Sequence, residues 1–141
     1  MQTKLILMPL VAMFLLTFVV AGTMLRRRVA HFKANKLHPQ KVALSAQMAA
    51  SIADTRASDN FKNLFEFPVL FYTAVLVIFT AGLVSPPFIV LAWLFVAARA
   101  AHSFIHCTSN HVMRRFYAFL TSGLCLLVMW IMIGYQLIVL P

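Results

Sequence analysis

Four stretches of the chain run apolar for about twenty residues or more, separated by polar or turn-forming segments. The first, LILMPLVAMFLLTFVVAGTML at 5–25, carries no charge and ends on Arg26, Arg27 and Arg28. A helix that crosses a bilayer needs about 20 mostly apolar residues, so this run predicts a first span. A secretory leader is the competing reading of such a stretch. Only Lys4 precedes it and a basic block follows it, which favours a retained helix. From Phe67 to Ala98 the chain has no formal charge, a run too long for one helix. The segment GLVSPPF at 82–88 interrupts it, because Pro86 and Pro87 cannot continue a helix and Gly82 and Ser85 favour a turn. A second span is predicted at about 62–84 and a third at about 87–107. FYAFLTSGLCLLVMWIMIGYQLIVL predicts a fourth at 116–140. No internal repeat is visible. The pattern predicts an all-α membrane protein, a four-helix bundle formed by one integral membrane domain over residues 1–141.

Composition sharpens this picture. The chain has 141 residues, 62 % hydrophobic and 11 % charged, with a mean hydropathy of +0.90. A soluble domain carries about 25 % charged residues. The net charge of +9 comes from 12 Lys and Arg against 3 acids. In a soluble protein it would suggest nucleic acid. Here the basic residues flank apolar runs and no polar domain exists to read a nucleic acid, so that partner is not expected. The loop 26–62 holds Arg26, Arg27, Arg28, Lys33, Lys36, Lys41, Arg56 and Lys62, and the loop 107–115 holds Arg114 and Arg115. The other side has only Lys4. The positive-inside rule predicts both basic loops in the cytoplasm and both termini outside it. Within the first loop, the Ala-rich segment QKVALSAQMAASIADTRAS at 40–58 predicts a short helix on the membrane surface. Cys107 and Cys125 have no metal-ligand spacing, and Cys125 reads as a small apolar residue.

Candidate chemistry lies at the basic end of the spans. Glu66 is the only glutamate and stands at the edge of the long apolar run. Asn63 precedes it by three residues, which predicts a shared helix face. Arg99, His102 and His106 fall within about 60° of one another on a helix of 3.6 residues per turn, a polar stripe on span three. The turn between spans two and three brings Glu66 to the depth of Arg99. An arginine inside a membrane costs about 2.5–3.5 kcal/mol and pairs or faces a wet cavity, so contact between Glu66 and Arg99 is expected. An ion pair alone leaves Asn63, His102, His106, Asn110, His111, Arg114 and Arg115 at the same face unexplained. His102 and His106 at i and i+4 suit zinc, but no acid-rich helix faces them and Arg99 repels a cation, so no metal is expected. Pro68 reads as a helix-start residue.

At these residues the chain resembles the MAPEG family, the membrane-associated proteins in eicosanoid and glutathione metabolism. NFKNLFEFPVLFY at 60–72, ARAAHSFIH at 98–106 and NHVMRRF at 110–116 carry the resemblance, over roughly 55–120. It implies a four-helix chain assembled as a homotrimer in the lipid bilayer, with glutathione sites between subunits at the cytoplasmic side. Asn63 and Glu66 match the family's Asn-x-x-Glu pair, and Arg99 and His102 its Arg-x-x-His. Arg115 falls where family enzymes place an arginine near the thiolate. The chain departs at His106, where mammalian members carry tyrosine, and at Asp59, where they are more basic.

The resemblance implies glutathione as co-substrate of a transferase or peroxidase acting on a lipophilic small molecule that reaches the site from the bilayer. Arg99, Arg114, Arg115 and one of Arg26–Arg28 suit its two carboxylates. His102 and His106 join Asn63 and Glu66 as binding residues, and Glu66 suits the ammonium or holds an arginine. The thiolate is the reactive form of sulfur, and a nearby guanidinium favours it. Arg115 is the catalytic candidate, ahead of Ser103 and His106. Two non-catalytic readings use the same cluster: a membrane scaffold, and a binder of anionic lipid or fatty acid.

Overall fold

The computed structural model describes residues 2–38, 40, 44–52 and 54–139, and everything described is helix, turn or short link. A 3-10 turn over Gln2–Ile6 leads into α1, Leu7–Ala34. The short α2, Ser45–Ser51, follows. Then come α3, Arg56–Asn63, and α4, Phe67–Thr80. The long helices α5, Pro86–Cys107, and α6, Val112–Val139, complete the chain. Among the described residues, four segments are long and apolar enough to cross a membrane: Lys4–Ala34, Arg56–Thr80, Pro86–Cys107 and Val112–Val139.

The three arginines after the first apolar run end the run but not the helix. Arg, Ala, Phe and Lys all tolerate helix, and no glycine or proline intervenes before residue 34. α1 stops in a Schellman turn: Lys36 takes φ 50°, and the Leu37 N–H donates to the carbonyl of Phe32 at 3.0 Å. α4 stops the same way, with Gly82 at φ 69° and the Leu83 N–H on the carbonyl of Ile78 at 2.9 Å. Ser85, Pro86 and Pro87 then start α5, proline being suited to a first helical turn. The predicted surface helix falls partly on residues 41–43 and 53, outside the described residues; α2 occupies its middle.

The second apolar segment is two helices. Between α3 and α4 the chain passes through turns at Leu64, Phe65 and Glu66, with i to i−3 bonds from Phe65 to Lys62 and from Glu66 to Asn63. Pro68 explains the break. It has no N–H for the carbonyl of Leu64, and its ring crowds that carbonyl. Asn63 and Glu66 therefore do not lie on one continuous helix face: Asn63 ends α3 and Glu66 caps α4.

α5 packs along α6 and touches α1 and α3. Its buried stripe is Phe88, Ala92, Phe95, Val96, Arg99, His102, Ser103 and His106. The first half is apolar. Phe71 of α4 stacks on Phe95 at 4.3 Å, and Met129 and Ile133 of α6 close the core there. The second half is polar, so the same seam that makes the core ends in the candidate site. At the crossover Phe67 stacks on Phe119 at 4.6 Å. Gly123 permits this, since a Cβ there would meet Phe67 Cε2 at 2.9 Å. Around the bundle, large apolar side chains such as Phe18, Trp93, Leu127 and Ile131 are exposed. Helices apolar on all sides are expected where lipid or another subunit covers them.

Candidate functional site

The break between α3 and α4 is filled by Arg99. Its side chain is fully buried, and Nη2 donates to the Asn63 backbone carbonyl at 3.0 Å and to Asn63 Oδ1 at 2.6 Å. In an unbroken helix that carbonyl would serve the N–H of residue 67. Because a guanidinium only donates, it fixes the Asn63 amide with its oxygen inward. The amide nitrogen then donates to Glu66 Oε2 at 2.7 Å. Glu66 and Arg99 share a site, but Asn63 stands between them, and neither makes a direct ion pair among the described residues. The physical reason is the break: it turns Glu66 outward while Asn63 closes on the guanidinium. The ring of Phe119 lies 5.9 Å from the Arg99 guanidinium carbon. Nε and Nη1 of Arg99 have no partner among the described residues.

In front of this relay lies a cleft of about 390 Å³. α3 contributes Asp59, Lys62 and Asn63, the break contributes Glu66, α5 contributes His102 and His106, and α6 contributes Val112, Arg115, Phe116 and Phe119. One wall is charged and the α6 wall is largely apolar. Of the residues expected from sequence, Asn63, Glu66, His102, His106 and Arg115 meet here. Arg99 sits behind the lining, Arg114 is exposed outside it, and Ser103 is turned into the core. No cluster of three metal-ligating side chains occurs among the described residues.

His102 and Arg115 are tied together. His102 Nδ1 lies 3.1 Å from the Arg115 carbonyl oxygen. A carbonyl only accepts, so Nδ1 carries a proton, and in the neutral form of the ring Nε2 is the acceptor. Nε2 has no partner among the described residues, and the side chain is more than nine-tenths buried. The Arg115 guanidinium donates to Asn110 Oδ1 at 2.7 Å. Asn110 adopts φ 49° in the turn from α5 to α6, a conformation asparagine tolerates.

Two features escaped the sequence reading. Asn60 is fully buried. Its amide donates to Cys107 Sγ at 3.4 Å and its oxygen accepts from Ser103 at 3.3 Å, pinning α3 to α5. Its place as the first of the two asparagines in the segment SDNFKN was its only signal. The second is a clasp on the end of α5. Arg27 Nη2 donates to the carbonyl of Cys107 at 2.6 Å and Arg56 donates to the carbonyl of Thr108. Asp54 accepts from both arginines, at 3.4 Å from Arg27 and 2.7 Å from Arg56. The hydrogen bond from Arg56 outweighs partial burial and holds the Asp54 carboxyl at about 2, below its ordinary 3.8. Its stabilising contribution is thus complete above the ordinary carboxylate range and is lost only as pH falls toward 2.

The MAPEG family model matches residues 6–135. No curated protein and no solved structure matches the chain.

Proposed function

Because the chain belongs to the MAPEG family, an integral, multi-pass membrane protein with four spanning helices, we propose that its cleft binds glutathione and activates the thiol against a lipophilic electrophile. The observation that carries this reading is the mixed character of the lining. Lys62 suits a carboxylate and Arg115 a thiolate, while Asp59 and Glu66 suit an ammonium. A zwitterionic peptide needs both signs, whereas an anionic lipid headgroup or fatty acid gains nothing from two carboxylates beside it. In the neutral form of the ring His102 Nε2 suits an S–H donor, and Val112, Phe116 and Phe119 offer an apolar wall to the second substrate.

Arg115 then acts on sulfur. A guanidinium beside the thiol favours the anion, and the proton leaves to solvent at the open side of the cleft. The sulfur lone pair attacks the electrophilic carbon, or the oxygen of a peroxide, and the leaving group takes up a proton. Arg99 contributes by holding Asn63 and, through it, Glu66. The open side of the cleft is the place for a neighbouring subunit of a homotrimer. The scaffold reading needs no ligand, and the lining, with unpartnered His102 and His106 nitrogens, speaks against it.

Calorimetric titration of the detergent-solubilised protein with glutathione tests the proposal. Saturable binding is expected, and none with the anionic lipid phosphatidylglycerol at the same site. Absence of glutathione binding sinks the reading. The distribution of Lys and Arg also supports the basic ends of the spans in the cytoplasm. A single cysteine at Ser85 should react with an impermeant reagent from the outer face, and reaction only from the cytoplasm would reverse the orientation.

A further inference from the structure

The wall of the cleft carried by α3 is fastened at both ends. At Asn63 it is held by Arg99, on the near side of the break at Leu64, Phe65 and Glu66. At its first residue, Arg56, it is held by the clasp. The carbonyls of Cys107 and Thr108 close α5 and have no further turn to accept from. Cations are favoured at such an end by the helix dipole. Arg27 reaches it from α1 and Arg56 from α3, and Asp54 stands between the two guanidiniums. α3 also packs along α1, whereas α2 packs extensively on no span among the described residues, so the clasp is what ties the start of α3 to the end of α5. Between its two fastenings α3 buries Ala57, holds Asn60 against α5 and turns Asp59, Lys62 and Asn63 to the cleft. His102 and His106 of α5 face them.

We infer that Asp54 and Arg27 are positioning residues of the cleft: they hold Arg56, and with it the start of α3, on the last carbonyls of α5, and so set the separation of the Asp59–Lys62 wall from the His102–His106 wall. Only the functional consequence rests on the glutathione reading. Solvent-exposed ion pairs contribute little to global stability. This clasp is half-exposed. Its loss should therefore loosen the wall without unfolding the bundle.

The test uses the full chain in nanodiscs with two readouts. The first is the distance between nitroxides at Lys62 of α3 and the exposed Phe104 of α5. Cys107→Ser and Cys125→Ala remove the native thiols, and labelled chains are diluted into unlabelled ones. A narrow distribution is expected for the parent and a broad, longer one for Asp54→Asn and for Arg27→Gln, with Asp54→Glu restoring the narrow one. The second readout is glutathione titration of the unlabelled chain. Both variants should bind about tenfold more weakly, equivalent to about 1.4 kcal/mol, with the thermal midpoint shifted by only a few degrees. The double variant should be no worse than either single one, since both break one clasp. Unchanged distance distributions in both variants would overturn the inference. So would loss of folding in both, because the clasp would then hold the bundle and not the wall. If the parent binds no glutathione, the proposed function fails and the distances alone decide the role of the clasp.

Discussion

Asn63→Leu is expected to destabilise the protein by about 2–3 kcal/mol, the usual cost of removing a hydrogen bond to a buried charged group. Arg99 is fully buried and directs Nη2 at two oxygens of Asn63. Leucine removes one of them and leaves the guanidinium with a backbone carbonyl alone, beside Nε and Nη1 that already lack partners. Glu66→Gln is expected to cost less, about 1 kcal/mol, because the glutamine oxygen still accepts from the Asn63 amide and Glu66 is exposed. Chemical unfolding in detergent measures both. A double-mutant cycle with Arg99→Leu sharpens the contrast: Asn63 and Arg99 should couple by more than about 1 kcal/mol, and Glu66 and Arg99 by less. Equal costs for the two single variants would mean that Glu66 meets Arg99 without an intermediary, and the relay would be wrong.

The four spans were legible because the bilayer imposes a crude rule. Twenty apolar residues and a proline pair at 86 and 87 leave little freedom. The polar stripe at Arg99, His102 and His106 was legible for the same reason, since helical spacing puts those residues on one face whatever they pack against. The break after Asn63 was only half visible. Pro68 marked a helix start, but whether the chain before it is loop or another helix depends on what satisfies the freed carbonyls, and here a guanidinium from 36 residues away does so. The clasp was hidden altogether. Arg27 meets a carbonyl 80 residues along the chain, and in the sequence it looks like one more positive charge at a membrane surface. The same sign bias that orients a span also masks a specific contact.

Arg115→Ala is expected to lower turnover about a hundredfold, the loss typical of one electrostatic stabiliser of developing negative charge, while glutathione binding weakens by less than about tenfold. The separation follows from how Arg115 is built into the site. Its backbone carbonyl holds His102 in the tautomer that leaves Nε2 free, and alanine keeps that carbonyl. Its guanidinium makes one bond to Asn110 and, among the described residues, no other to the protein, so its remaining donors are available in the cleft. The substitution therefore removes the charge next to sulfur and leaves Asp59, Lys62, Asn63 and Glu66 to bind the peptide. Thiolate absorbs at the ultraviolet edge of the protein spectrum, so stopped-flow difference spectroscopy follows its formation on mixing. The parent should develop the signal and Arg115→Ala should bind glutathione without it. Arg115→Lys should restore part of it, since a point charge favours the anion but lacks the forked geometry. Asn110→Ala should fall between, because the guanidinium keeps its charge and loses its anchor. If the parent itself shows no thiolate at saturating glutathione, thiol activation is not what this cleft does, and Lys62 and Arg115 are better explained by an anionic lipid or fatty acid lying along the apolar wall of α6.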